Sequence, residues 1–198
     1  MKKLIAILIF YFFSSFTIAH SYSTDPKAFV QELVSDALKT LSDKSLTKEI
    51  KENEIEKIAK ENVDIKGIGL YTLGKIRKEL SDDVLNDYNK VFEVYFLKSL
   101  TSRLTDYSSQ KFEVGESEQK SAIYTIVKSK ILGGKDLPEI NIEWRIYTKN
   151  PEKPLIRDLI VEGLSLARTQ KEEFNSILNS NSNDINVLLN KIKEFNSN

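Results

Sequence analysis

The chain has 198 residues, is 40% hydrophobic and 29% charged, and carries no net charge at pH 7 and no cysteine. This length supports one domain with a real core, and the composition is that of an ordinary globular protein. The balanced charge offers no cationic excess to neutralise nucleic-acid phosphates, and the missing thiols exclude disulfides, thiolate metal sites and lipid attachment through an N-terminal cysteine.

The chain opens like an export leader. Lys2 and Lys3 precede the apolar run Leu4–Phe13, small residues follow, and cleavage is expected after Ala19 or Ser21. The run falls short of the ~20 apolar residues of a spanning helix, although an uncleaved anchor is the alternative. The expected organisation is a leader over residues 1–21 and a single exported domain over 22–198.

Asp25-Pro26 is an N-cap followed by proline at the first helical position, and Phe29, Val30, Leu33, Val34, Ala37, Leu38 and Leu41 then form one apolar stripe. A second helix is expected from about Leu46 to Asn62, with Lys48–Glu52 and Glu56–Lys60 at helical neighbour spacing on a solvated face. Gly67, Gly69 and Gly74 superficially suggest a phosphate-cradling loop. No strand precedes them and helix signals flank them, so the segment reads as a short, closely packed helix ended near Gly74.

Ser81-Asp82-Asp83 is a strong helix start, with a capping hydroxyl and acids at the positive end of the dipole. The helix is expected to reach about Tyr107. Its apolar residues Val84, Leu85, Tyr88, Val91, Phe92, Tyr95, Phe96, Leu100, Leu104 and Tyr107 cover far more than a ~100° stripe, so more than one partner must cover them. A central helix gripped by other elements satisfies that arc; so does a cavity lined by Phe92, Tyr95 and Phe96.

Beyond Tyr107 the apolar period shifts from 3.6 to 2. Strands are expected over residues 111–114, 122–130, 140–148 and 155–161, broken at Gly115–Glu118, Gly133–Pro138 and Asn150–Pro154. Such short connections imply an antiparallel meander. Ile123, Thr125 and Val127 alternate around Ile126, which leaves the second strand apolar on both faces. Two amphipathic helices close the chain, Leu166–Asn179 and Asp184–Phe195. The fold class is α+β: N-terminal helices, a twisted four-stranded antiparallel sheet, and C-terminal helices enclosing an apolar cavity.

Chemistry is sparse. Gly163-Leu164-Ser165-Leu166-Ala167 resembles a nucleophile elbow with its last glycine replaced. The single histidine, His20, falls in the leader, so no ordinary triad can be built. Ser165 then reads as a helix cap. Asp158 and Glu162 share a strand face but sit ~13 Å apart by strand rise, too far for a glycosidase pair. Glu162 is expected to pair with a backbone group or a cation at the turn. Metal ligands of the His and Cys type are missing, and no catalytic residue, metal or cofactor is assigned; the protein is expected not to be an enzyme.

The segment Arg157-Asp158-Leu-Ile-Val-Glu162-Gly163-Leu-Ser165-Leu, with Phe174 following, resembles the signature of the MlaC family of periplasmic phospholipid carriers. Where that family carries Asn-Tyr-Arg on the following helix, this chain has Thr169-Gln170-Lys171, and the family's usual Trp before the Asp is absent. Leu73-Gly74 matches the family's short helix ending in Leu-Gly. The resemblance implies a soluble periplasmic carrier whose cargo is phospholipid. It implies, as partners, an outer-membrane lipoprotein–porin complex and an inner-membrane ABC transporter with a substrate-binding-domain subunit, in a system maintaining outer-membrane lipid asymmetry. On that reading Leu70, Leu73, Phe92, Tyr95, Phe96, Leu100, Ile123, Thr125, Trp144 and Ile146 are the lipid-lining candidates, while Asp158, Glu162, Gly163 and Ser165 form a structural signature. The alternative is a periplasmic chaperone or adaptor that holds apolar polypeptide segments in the same groove.

Overall fold

The structure is a computed structural model that describes residues 21–104, 111–133 and 138–197. The leader and its cleavage sites lie outside the described residues, as do Tyr107 and the Gly134–Leu137 part of one expected loop. The element order is α1 (Pro26–Ser42), α2 (Lys48–Asn62), α3 (Ile65–Thr72), a short 3-10 turn, α4 (Asp82–Leu104), β1 (Phe112–Ser121), β2 (Tyr124–Ile131), β3 (Ile140–Tyr147), β4 (Leu155–Val161), β5 (Leu164–Ser165), α5 (Leu166–Asn179) and α6 (Ile185–Ser197). The α+β class read from the sequence holds, with helices flanking one antiparallel sheet of strand order β1-β2-β3-β4-β5.

Helix starts follow the caps. The Asp25 carboxylate accepts from Ala28 N, Thr47 Oγ1 from Ile50 N, Asp64 from Gly67 N and Ser165 Oγ from Arg168 N, each satisfying an amide that has no partner within its helix. Gly74 ends the α3 region at φ 61°, a left-handed conformation that costs a glycine little. Gly69 answers a different need. A Cβ there would stand 2.8 Å from the Phe92 ring, so glycine is what lets α3 lie directly on α4.

The sheet differs from the sequence reading in three places. Residues Gly115–Glu118 do not break the first strand; β1 continues through them to Ser121, with a register shift between Val114 and Ser117 that marks a bulge. This half of β1 is exposed on both faces at the sheet edge, so its polar side chains carry no apolar alternation. The second strand starts at Tyr124 rather than Ala122, and Ala122-Ile123 form the tip of the β1–β2 hairpin. A further two-residue strand, β5, pairs back on β4 through Glu162 and Gly163, at φ 49° and 81°, the positive-φ pair of a type I′ hairpin turn.

Two apolar cores result. One is helical, built from α3, α4, α5 and α6 around Leu73, Tyr88, Phe92, Phe174, Leu178 and Leu188. The other lies between α1 and one sheet face: Phe29, Val30, Leu33 and Val34 pack on Val127, Trp144, Ile146 and Ile156. Val63, at the end of α2, packs against both. It also forms a parallel bridge with Ile156, and the next residue donates from Asp64 N to Ile156 O at 2.9 Å.

Candidate functional site

The register fixes which residues line the sheet's inner face. Val127 pairs with Trp144, Thr125 with Ile146, Ser129 with Ile142 and with Val114 on β1, and Trp144 with Leu159 on β4. Because side chains alternate along a strand, these residues share one face, together with Phe112 and Ile131. Over them lies α1. Its N-terminal half is sealed: Phe29 and Val30 are 1% and 0% exposed, and Ile146 beneath is 0%. Its C-terminal half is not. There a groove of about 490 Å³ separates α1 from β1, lined by Gln31, Val34, Ser35 and Leu38 on the helix and by Phe112, Glu113 and Val114 on the strand. Phe112 meets Trp144 edge to face, ring centroids 6.2 Å apart, so the groove floor is continuous with the buried layer.

The layer is apolar apart from the buried Thr125 and one hydrogen-bonded polar pair. Trp144 Nε1 donates to Ser129 Oγ at 2.8 Å, and Ser129 Oγ donates to the Ile142 carbonyl at 3.3 Å. At the chain start, Tyr22 rests its ring on Phe29 and bonds Asp36 through its hydroxyl at 3.2 Å. Partial burial and the Asp36 carboxylate push its pKa up to about 12.

A second concavity, of about 480 Å³, lies between α2 and α4. The Lys48–Glu52 and Lys60–Glu56 pairs, each at 3.6 Å, line it with Glu93 and Lys98. Its α2 wall is a charge ladder, while its α4 wall adds Val94, Leu97 and Thr101.

The sequence-derived candidates divide between the two cores. Leu73, Phe92, Tyr95, Phe96 and Leu100 all belong to the helical core or pack against it. Phe92 stacks on Tyr88 at 5.6 Å and meets Tyr95, Phe96 and Phe174 within 6.2 Å, so protein rings cover the wide arc of α4. The Tyr88 hydroxyl shares a 2.8 Å hydrogen bond with Thr72 and its pKa is raised by burial. Leu70, on α3, is half-buried. Thr125, Trp144 and Ile146 lie on the inner face of the sheet beneath α1. Ile123 does not: it is 38% exposed at the hairpin tip, because the apolar alternation of the sequence runs past the end of the strand. The α1 and β1 residues that open the layer, Val34, Leu38, Phe112 and Val114, were legible only as helix stripe and strand alternation, with nothing to show that they meet.

The strand–turn–helix around Ser165 is a connected set of bonds. Asp158 is 4% exposed; its carboxylate accepts from Ser165 Oγ at 2.6 Å and Ala167 N at 3.0 Å, and Arg145 stands at 3.4 Å. Ser165 Oγ in turn accepts from Arg168 N at 3.1 Å. Strand β4 and the start of α5 are thereby fixed together. Glu162 accepts from the Asn141 backbone N–H and, at 3.3 Å, from its side-chain amide, holding the turn against β3. Arg157, the bulged residue between Ile156 and Asp158, donates to Asp64 at 2.5 Å and Tyr124 at 2.8 Å and lies 3.5 Å over the Tyr147 ring. Burial works against its charge, but the bonds to Tyr124 and Asp64 outweigh that and leave its pKa raised.

Among the described residues no group of three His, Cys, Asp or Glu side chains could hold a metal ion, and no helix is long and apolar enough to cross a membrane. No curated protein matches the chain in sequence. Among solved structures it is similar to the phospholipid-binding protein of Ralstonia solanacearum, determined in complex with a phospholipid. That likeness has a TM-score of 0.71 at 17% identity, over 86% of this chain and 96% of the other. A family model described as MlaC protein matches residues 31–194, which is most of the chain, and the chain therefore belongs to the MlaC family.

Proposed function

We propose that this chain is a soluble periplasmic carrier of phospholipids, not an enzyme, and that the lipid's acyl chains lie between α1 and the inner face of the sheet. The observation that carries the reading is the α1–β1 groove, which opens at the surface and runs into a layer of aliphatic and aromatic side chains. Family membership and the fold shared with a phospholipid-binding protein support it. A two-chain lipid exceeds the drug-sized ligands for which ~300–1,000 Å³ suffices, so loading requires α1 to lift away from β1 at its C-terminal half.

The energetics give the reason for such a protein. Two acyl chains hold about 30 CH₂ groups, and exposing them to water costs ~24 kcal/mol at ~0.8 kcal/mol each. Unassisted escape from a bilayer then occurs about once a day. A dry layer within a soluble protein replaces that exposure without any nucleophile or cofactor. Within this reading the protein is exported by cleavage near Ala19 or Ser21 and moves lipid between the outer and inner membranes. Its partners are a lipoprotein–porin complex at one membrane and an ABC transporter with its substrate-binding-domain subunit at the other, the arrangement that maintains outer-membrane lipid asymmetry.

Denaturing extraction of protein purified from the periplasm, followed by lipid mass spectrometry, tests the proposal, with uptake from phospholipid vesicles as the second arm. Stoichiometric phospholipid supports it. Folded protein that neither carries lipid nor acquires it overturns it, and aggregation of unfolded polypeptides suppressed by such lipid-free protein would favour a chaperone.

A further inference from the structure

We infer that the Ser129–Trp144 pair binds an ester carbonyl of the lipid. This rests on the carrier reading above and adds to it the part of the lipid that is recognised.

An apolar layer has no use for a hydroxyl, and burying one costs free energy unless it is hydrogen-bonded. Ser129 is nonetheless 4% exposed on the inner face of β2, between aliphatic neighbours. Its place in the layer is specific. Val114, which lines the groove, is its cross-strand partner, and Phe112, on the same rim, touches Trp144. Ser129 Oγ and Trp144 Nε1 are thus the first buried polar side-chain groups behind the groove. Beyond them lie Val127, Ile146 and Val30, all 0% exposed, with the buried Thr125 as the next hydroxyl along the strand. A lipid entering chains first leaves its phosphate outside the groove and brings its glycerol esters to the level of this pair.

The two bonds of Ser129 are unequal. Trp144 Nε1 holds the serine oxygen at 2.8 Å, whereas the hydroxyl stands 3.3 Å from the Ile142 carbonyl, beyond the usual ~2.5–3.0 Å for O–H···O. The indole therefore fixes the oxygen and polarises the O–H, while the proton itself is weakly held. A serine hydroxyl rotates freely about its C–O bond. It can turn from Ile142 to an ester carbonyl, keeping the indole bond, and no polar group is orphaned in either state. An ether lipid has the same chains and phosphate but lacks that carbonyl.

The test offers the protein vesicles of diester phosphatidylcholine or of the diether analogue with equal chain lengths, and counts bound lipid per protein by mass spectrometry. Wild-type protein is expected to favour the ester by ~2- to 12-fold, the range of one net hydrogen bond. The Ser129→Ala/Trp144→Phe double variant removes both partners together, leaves neither group orphaned, and is expected to load the two lipids equally. Equal loading by wild-type protein, or a preference that survives in the double variant, overturns the inference while leaving the carrier reading intact. Wild-type protein that loads neither lipid overturns both. The wild-type comparison stands even if the double variant does not fold.

Discussion

The two cores of this molecule are built from similar residues and are covered in different ways. In the helical core, Gly69 brings α3 onto the Phe92 ring, and Tyr88, Phe92, Tyr95 and Phe174 cover one another. Its centre is fully buried, with Tyr88 and Leu188 0% and Phe92 1% exposed, while Tyr95, Phe96 and Leu100 at its margin are half-buried. The layer under α1 is covered mainly by that helix, with Ile58 and Val63 of the α2 segment beside it; it is sealed at one end by Phe29 and Val30 and stays open at the other between Leu38 and Phe112. Interiors packed to crystal-like density resist insertion, so a ligand separates the elements that touch least. On the carrier reading proposed above, the contrast favours the layer under α1 over the aromatic run of α4, whose rings are largely taken by other parts of the chain.

The largest expected effect lies at the groove. Leu38→Asp places a carboxylate on the half-buried rim of the groove, where the loaded state has to desolvate it at a cost of several kcal/mol. Lipid uptake from vesicles is expected to fall at least tenfold, with the melting curve nearly unchanged. The matching change in the other core does the reverse. Phe92→Ala should cost ~3–5 kcal/mol of stability by denaturant titration, while the lipid carried per folded molecule stays at the wild-type level. Uptake lost in Phe92→Ala and kept in Leu38→Asp would exchange the roles of the two cores.

Smaller effects sharpen the boundaries. Asp158→Ala leaves Ala167 N and the Ser165 hydroxyl without their acceptor, and is expected to lower stability by about 1–3 kcal/mol. Asp158→Asn should recover part of that loss. Smallest is the alkaline behaviour of Tyr22. Its folded pKa lies near 12, above the ordinary value of 10, so the folded state keeps the phenol proton where the unfolded state gives it up. The stabilisation is complete below pH 10 and is lost as pH rises from 10 towards 12. Tyr22→Phe should flatten that part of the stability–pH curve, measured by denaturant titration.

Much of this architecture is legible in the amino-acid sequence, because capping and turn chemistry are local. Asp25-Pro26, Ser165 and Gly74 mark boundaries that depend on a few neighbouring atoms. The second half of β1 is not legible, since an edge strand wet on both faces has no apolar period to display. Ile123 misleads for the opposite reason: it continues the alternation after the strand has turned. The site was harder still. The width of the α4 arc shows that several partners are needed, but not whether they are Phe174 and Leu188 or a lipid. That choice depends on α5 and α6, far along the chain. The Ser129–Trp144 pair could not be anticipated either, because its meaning comes from a cross-strand register that sequence spacing does not specify.

Val63 and Asp64 join the two cores at a single strand-like crossing on Ile156. A motion that lifts α1 leaves this bond untouched; only separation of the sheet from the helical bundle breaks it. The Asp64 amide therefore works as an internal clock for the molecule. In hydrogen exchange it should keep the slow rate of global unfolding while amides of α1 exchange faster through lipid-loading openings, which distinguishes a hinged lid from a protein that melts to take up its cargo.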